Sequence, residues 1–415
     1  MRPATIRWAG PSLLAVALAF AVPAWAEPAR LDEQAAVEAA RGRGELRDAT
    51  EGALDAARAE ADEAGLWPNP TFEYERDRTK EVGGAVLQDT YRLSQPVDIS
   101  GRRFLRQDAA LRRADSAQAE GRQRMADAGA EARRLFHAVL MRTQALDAAQ
   151  GWAARLGEAE TVLTKLRQGR EVSGYDARRL SREKLAADAK VRAMGADLAE
   201  SWERLRAVMG LPAGSPMLRL DGKLLPPPPL GLDDLMGRLE SRPDLQGLRS
   251  RIAASELERR AADRGWIPEL TVGAGLKQVD RPESRDQGVL LTVSAPLPLF
   301  DRGQASARKA EAQTRATSAD LALARIKAEG EVRGLWRRTI ELRDTALKFR
   351  ESAVAPSRDL ARIAQAAYRA GEMNVLELLD AHKALWEAET TALELEFGAR
   401  EAHSDLILAA GEPTP

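Results

Sequence analysis

YRLSQPVDISGRRFLRQDAA, residues 91–110, and LTVSAPLPLFDRGQASARKA, residues 291–310, follow one pattern at positions 200 residues apart. Each stretch places a serine, a proline and an arginine at matching positions. In each, an alternating run reaches a proline, passes a short turn and opens into a long helix rich in alanine and arginine. The pattern indicates a sheet-to-helix junction used twice, and therefore an internal two-fold repeat.

The composition favours long packed helices over an average globular mixture, because only 5% of the 415 residues are aromatic and 30% are charged. The formal net charge of −1 and the pI of about 6.4 give no indication of nucleic acid as a partner. The sequence contains no cysteine, which excludes disulfides, thiolate metal sites, a cysteine nucleophile and an acylated cysteine anchor.

The N-terminus, residues 1–26, has the organisation of a cleaved signal peptide. Arg2 and Arg7 form a charged region, residues 13–22 form an apolar region, and residues 24–26 form a small-residue cleavage site. The apolar run has about ten residues, whereas a membrane-spanning helix needs about 20. The chain is therefore predicted to be exported and to begin at Glu27 when mature, and any later membrane contact is expected from strands.

The first repeat is predicted at residues 27–225. It begins with a helix over residues 31–66, because Pro68 and Pro70 cannot continue a helix. A strand hairpin at 70–98 follows, and a long helical hairpin at 102–210 completes the repeat.

The second repeat is predicted at residues 226–415, with the same order of elements. An opening helix leads to a strand hairpin at 269–298 and then to a helical hairpin at 303–410. The first helix of that hairpin is expected to cover about residues 304 to 370. The predicted fold class is mainly α with a small membrane β part.

The number of strands limits how the chain can meet a membrane. Four strands per chain cannot close a barrel, and an open sheet edge cannot face lipid. Eight strands enclose only side chains, whereas three chains would supply twelve strands and an open lumen. The helical hairpins of three chains would likewise close into an α-barrel tunnel. The sequence therefore predicts a homotrimer that spans the Gram-negative outer membrane, contacts its lipid and extends into the periplasm.

Five motifs resemble the outer-membrane efflux protein family typified by TolC, and the resemblance covers nearly all of the mature chain. They are WPNPTFEY, LSQPVDISGRR, RPDLQGLRSRIAASE, VSAPLPLFDRGQASARKAEA and YRAGEMNVLELLDAHKAL. PLPLFDRGQ, with RPDL before it, is similar to the heavy-metal branch, the CzcC and CusC-like proteins. The resemblance implies a trimer with a twelve-stranded β-barrel and a periplasmic helical tunnel. It further implies docking with a periplasmic adaptor and an inner-membrane pump of the proton-driven RND type.

The resemblance also implies a site at the tip of the second helical hairpin. Glu377 and Asp380 are three residues apart, and so lie on one helix face. They match family positions at which acidic residues ring the periplasmic mouth and narrow it. A ring of carboxylates from three chains would attract cations. The alternative interpretation is a solvated charged face of the helix.

Asp176 and Tyr368 match family positions that help to latch neighbouring helices shut. In this chain Met373 stands where the family has a basic partner, so the ion-pair half of the latch is absent. The alternative for Tyr368 is an aromatic side chain that packs near a turn.

The tips of the two helical hairpins are predicted to face the adaptor, because they lie at the end far from the strands. The first tip contains Gly169 and Ser173, and the second contains Gly371 and Asn374. A turn at the end of a tunnel can also serve as a docking edge.

An enzyme is not expected, and neither a cofactor nor a bound metal is predicted. His137, His382 and His403 lie in helical segments without paired ligand spacing, and no glycine-rich phosphate loop follows a strand. The rival interpretation is a non-channel periplasmic coiled-coil scaffold or adaptor, which leaves the alternating strands unexplained. Heavy-metal cations are the first choice of substrate, and efflux of drugs or other organic solutes, or type I secretion, is the alternative.

Overall fold

Long helices make up most of the described part of the chain, which in this computed structural model comprises residues 30–81, 84–168 and 174–411. The remaining described elements are strands and turns, so the mainly helical fold class is confirmed. The predicted signal peptide, residues 1–26, and the first tip with Gly169 and Ser173 lie outside the described residues.

The first half of the chain contains a strand hairpin followed by two long helices. Its elements are β1 (Arg30–Asp32), α1 (Glu33–Arg41), α2 (Gly44–Gly65), β2 (Thr71–Glu81), β3 (Gly84–Val97), α3 (Arg102–Gln168), α4 (Gly174–Met209) and β4 (Arg219–Asp221). With 67 residues, α3 is about 100 Å long.

The second half also places a strand hairpin before long helices. Its elements are α5 (Leu232–Arg238), a 3-10 turn (Leu239–Ser241), α6 (Pro243–Asp263), β5 (Leu270–Asp280), β6 (Arg285–Ser294), α7 (Gln304–Phe349), a π turn (Arg350–Val354), α8 (Ala355–Ala370) and α9 (Val375–Ala409).

The two strand hairpins form one antiparallel sheet in the order β2-β3-β5-β6. Tyr91 pairs with Tyr74 on one side and with Leu276 on the other, so that residues align in rows across the sheet. A second, parallel pairing joins β1 to β4. It ties the start of the described chain to the end of its first half.

The helix α3 is central to the helical part, because it packs against α1, α2, α4, α6 and α9. Phe136 and Val139 are fully buried at its middle and belong to one apolar cluster with Leu205 of α4. Nearer the tip, Trp152 and Leu156 of α3 form a second cluster that includes residues of α4 and α9. Alanine occupies many of the other buried positions, which lets neighbouring helices approach closely.

The single helix predicted over residues 31–66 is wrong, because the chain is divided there into α1 and α2. Gly42 and Gly44 flank Arg43, whose backbone is extended at φ −58° and ψ 132°. The Arg43 guanidinium donates to the carbonyl oxygen of Ala207 at 3.3 Å. Glycine is a weak helix former, so the helix breaks where this contact forms.

The long helix predicted over about 304–370 is present and contains a π turn at Arg350–Val354, which separates α7 from α8. Pro356 follows two residues later and has no N–H to donate to the preceding turn. The widened turn accommodates the missing hydrogen bond. Arg350 donates to both carboxylate oxygens of Glu396 on α9, which fixes the π turn against that helix.

The strand hairpins extend beyond the apolar alternation visible in the sequence. The strand β6 begins at Arg285, and Arg285 Nε donates to Asp280 Oδ1 at 2.7 Å across the turn. Cross-strand ion pairs thus lengthen the hairpin past its apolar rows. Among the described residues, no helix has a stretch long and apolar enough to cross a bilayer.

Candidate functional site

One face of the sheet is apolar over its central rows. The rows are Phe72–Leu93–Ala274–Leu291 and Tyr74–Tyr91–Leu276–Val289. Val289 and Leu291 are each 78% exposed, so the chain itself leaves this face uncovered. From Leu270 to Leu276 the apolar face of β5 extends for about 20 Å at the usual rise of a strand.

Charged residues end the apolar face on the side of the hairpin turns. Arg76 donates to both carboxylate oxygens of Asp89, at 2.6 and 2.7 Å, and the Tyr74 hydroxyl donates to the same carboxylate at 2.9 Å. Tyr74 and Tyr91 stack beside this border with ring centroids 5.0 Å apart. Aromatic rings next to a charged row are typical of the boundary between lipid and water.

The opposite face of the sheet is polar and carries small residues. Arg92 donates to Glu73 at 2.9 Å across β2 and β3. Next to Arg92 on β5 is Gly275, where a side chain would collide with the backbone carbonyl of Tyr91. The sheet therefore has two chemically different faces, as in a strand wall between lipid and water.

Within the described residues, the outer strands β2 and β6 each pair on one side only. They have 11 and 10 residues, so each leaves a long row of backbone hydrogen-bonding groups without a strand partner. Such edges invite pairing with another chain.

The tip of the second helical hairpin is closed by a tight turn between α8 and α9. Gly371 ends α8 in the left-handed conformation, at φ 77°. The Asn374 side chain accepts a hydrogen bond from the backbone N–H of Glu377 at 2.9 Å, and the Glu377 carboxylate accepts one from the N–H of Asn374 at 3.2 Å. Glu377 and Asn374, predicted to serve the aperture and the adaptor, thus form one capping box.

Asp380, the second predicted aperture acid, is paired across the tip. Its carboxylate lies 3.6 Å from the guanidinium of Arg179 on α4, which also contacts Glu183 at 3.4 Å. Both partners are partly exposed, so the pair adds little stability in water. It does place a positive charge beside the predicted acidic ring.

The two predicted latch residues lie in different elements. Asp176 is half-buried in the first turn of α4, and Tyr368 is half-buried in the last turn of α8. Tyr368 packs against the cluster around Trp152 and Leu156, which accounts for its burial. Its role in a latch stays a prediction.

His137 and His403 lie deep in the helical part, beside Arg133 and Arg400. Burial, and then the charge of the arginines, lowers the pKa of His137 to about 3 and that of His403 to about 4. Glu33 is 3.2 Å from His137 but is shared with both arginines. Within the described residues, no group of three or more histidine and acidic side chains is arranged to hold a metal ion.

Residues 238–412 match the sequence model of the family described as outer membrane efflux protein. The match covers the second half of the chain. The part matched contains α6, the strands β5 and β6, and the whole second helical hairpin with its tip.

Two proteins named for metal resistance are similar to this chain in sequence. The cobalt-zinc-cadmium resistance protein CzcC of Cupriavidus metallidurans is 25% identical over 347 residues, which cover 82% of this chain and 79% of CzcC. The nickel-cobalt-cadmium resistance protein NccC of Alcaligenes xylosoxydans xylosoxydans is 25% identical over 276 residues, covering 66% of this chain and 62% of NccC.

The fold of the chain is also found in solved structures. CusC, whose crystal structures are described in terms of transmembrane channel formation, superimposes with a TM-score of 0.73 at 16% sequence identity. The match covers 91% of this chain and 92% of CusC. The chain thus has the same fold as CusC.

The sequence did not reveal the contacts between helices at the tip. Arg179 lies 201 positions before Asp380, and Arg155 lies 227 positions before His382, whose ring it contacts. No spacing within one helix signals such partners. A local sign is that each of these residues lies within a turn or two of the apolar side chains that pack the tip.

Proposed function

We propose that three copies of this chain form an outer-membrane exit duct that passively conducts substrates from an adaptor and an inner-membrane RND pump to the exterior. The observation that carries the proposal is the four-stranded sheet, which has an uncovered apolar face, a polar opposite face and two unpaired edges.

The edges indicate how copies would join. Neighbouring strands in the sheet are all antiparallel, so β2 and β6 run in opposite directions. The β6 edge of one copy can therefore pair antiparallel with the β2 edge of the next. Three sheets of four strands give twelve, which is enough for an open lumen lined by the polar face.

The helical hairpins would form the periplasmic tunnel. The second tip, with Gly371 and Asn374, lies far from the sheet and would meet the adaptor. Glu377 and Asp380 are exposed at this end, which supports an acidic aperture that attracts cations. Arg179 would moderate that attraction, because it pairs with Asp380.

Heavy-metal cations are the substrates we propose. The names of CzcC and NccC connect those relatives with divalent metals, and an acidic aperture suits cations. Efflux of organic solutes and type I secretion are the rivals. The scaffold interpretation is disfavoured because it gives the uncovered apolar face no partner.

Reconstitution tests the duct. The protein, purified from outer membranes in detergent, should crosslink as a trimer and produce stepwise currents in planar lipid bilayers, whereas a heat-denatured sample should not. Recovery as a water-soluble monomer in the periplasmic extract, with no current after addition to bilayers, would refute the proposal and favour the scaffold.

Metal transport and adaptor docking need separate measurements. A strain without the gene should become sensitive to cobalt, zinc or cadmium, and an unchanged metal sensitivity together with increased drug sensitivity would favour the rival substrates. Photo-crosslinkers at Glu372 and Met373 should capture the adaptor. Crosslinks from the turn at residues 281–284 instead would contradict docking at the helical tip.

A further inference from the structure

His382 lies inside the tip of the helical hairpins, two residues after Asp380. Only 9% of its surface is exposed. Its Nδ1 atom is 2.8 Å from a terminal nitrogen of Arg155 on α3, and its Nε2 atom is 3.3 Å from Oε1 of Gln365 on α8. One ring thus joins α9 to both α3 and α8.

The partners fix the protonation state of the ring. A guanidinium group only donates, so Nδ1 of His382 must accept from Arg155 and carries no hydrogen. The ring hydrogen is then on Nε2, where it donates to the amide oxygen of Gln365. A neutral ring satisfies both contacts. A doubly protonated ring has no acceptor for Arg155 and places two cations in contact.

The other charged groups at this position do not reverse that preference. Burial and, next, the charge of Arg155 lower the pKa of His382, while Glu158 on α3 opposes them. The contact from α8 is the neutral amide of Gln365. On α9 itself, Asp380 and Lys383 are exposed and of opposite charge.

We propose that His382 is a positioning residue that holds α9, with Glu377 and Asp380, against α3 while its ring is neutral, and that protonation of the ring releases the tip. The inference rests on the duct proposed above, because it assigns His382 to the control of that duct. Arg155 and Gln365 are its partners on the two neighbouring helices.

The direction of the effect follows from linkage. The packed tip binds the proton less tightly than a released tip, whose histidine has the ordinary pKa of about 6.5. The packed arrangement is therefore fully stable above that pH and loses stability as the pH falls towards the lowered pKa of His382. The ratio of released to packed tips can rise about tenfold for each unit that separates the two pKa values.

Two variants separate this titration from those of other groups. In His382→Asn, the amide oxygen can replace Nδ1 as the acceptor for Arg155, but the side chain cannot be protonated. Arg155→Gln keeps a donor and removes the positive charge that disfavours protonation of His382. Channels of the wild type and both variants are recorded in planar bilayers at several values between about pH 7.5 and about pH 5, either side of the ordinary histidine pKa.

The wild-type channel should open more often as the pH falls, by about tenfold per unit of pKa difference. His382→Asn should stay closed across the range, and Arg155→Gln should open at a higher pH than the wild type. A wild-type channel that conducts without responding to pH would overturn the inference while leaving the duct intact. A response retained in His382→Asn would also overturn it and assign the titration to the carboxylates. If correctly folded trimers produced no current at all, the proposed duct itself would fail.

Discussion

Replacing Leu291 by arginine tests which face of the sheet meets lipid. Leu291 lies on the apolar face and is 78% exposed. On the same face of β6 it lies between Val289 and Val293. Leu290 is the matched control, because the same substitution one position earlier projects to the polar face. There it lies opposite Gly275, on the face that carries the ion pair of Glu73 and Arg92.

The size of the effect follows from the depth of the residue. The apolar rows extend for about 20 Å, and Leu291 lies in an inner row, so its substitution places a charge near the middle of the lipid layer. Arginine at that depth of a strand wall costs about 2 to 4 kcal/mol per chain. Three chains would incur about 6 to 12 kcal/mol in the assembled trimer. The arginine at position 290 would cost about 1 kcal/mol or less, because it enters a wet, polar surface.

The assay is urea unfolding of trimers that have been folded into phospholipid vesicles, with resistance of the trimer to SDS as a second readout. Leu291→Arg should lower the free energy of unfolding by several kcal/mol or prevent insertion, while Leu290→Arg should resemble the wild type. Equal losses for the two variants would refute the assignment of the faces. A loss of stability or insertion that is confined to Leu290→Arg would mean that the opposite face of the sheet meets lipid.

Three further predictions concern the helices. The double variant Glu377→Gln, Asp380→Asn retains the capping box. Its single-channel conductance should rise and its block by divalent cations should fall. Unchanged currents would contradict the proposed acidic aperture. Lowering the pH from about 7 to about 5 should destabilise the protein by about 2 kcal/mol through His137, because its pKa of about 3 lies below its value in the unfolded chain. The urea midpoint of His137→Gln should fall less on acidification than that of the wild type. An equal fall in the two proteins would contradict this role of His137. Arg400→Met should lower the free energy of unfolding by about 3 kcal/mol, because Arg400 donates to three backbone carbonyls at residues 223–225; an unchanged thermal midpoint would count against that role.

Local patterns in the sequence predicted the helices and strands best where each face of an element has a uniform environment, either apolar or polar. The alternation in β5 and β6 followed from an apolar face beside a polar one, and the end of α2 at Gly65 followed from Pro68 and Pro70. The start of β6 at Arg285 has no such pattern, because its strand pairing depends on Asp280 across the turn rather than on apolar alternation.

Contacts between distant segments could not be predicted in this way. The β1–β4 pairing joins Arg30–Asp32 to Arg219–Asp221, two copies of the tripeptide RLD whose charged residues show no strand pattern. The tip presents the same difficulty. Asp380 and Glu377 were predicted as aperture residues from their spacing and the family resemblance. Nothing in the local sequence distinguishes Arg179 from other arginines on exposed helix faces. The packing of the two helical hairpins against each other determines that Arg179 pairs with Asp380.

The two ends of α9 are held by different kinds of contact, and this difference explains why motion would be confined to the tip. Near its C-terminal end, Arg400 is 9% exposed and bonds to carbonyl groups, which do not titrate near neutral pH. Near its N-terminal end, His382 makes contacts that require a neutral ring, and Asp380 makes an exposed ion pair that salt screens. A fall in pH, or a rise in salt, therefore weakens the contacts at the tip while the contacts toward the sheet persist. On this proposal α9 is released at the end where Glu377 and Asp380 lie, and it stays fixed where Arg400 donates to the carbonyls of residues 223–225.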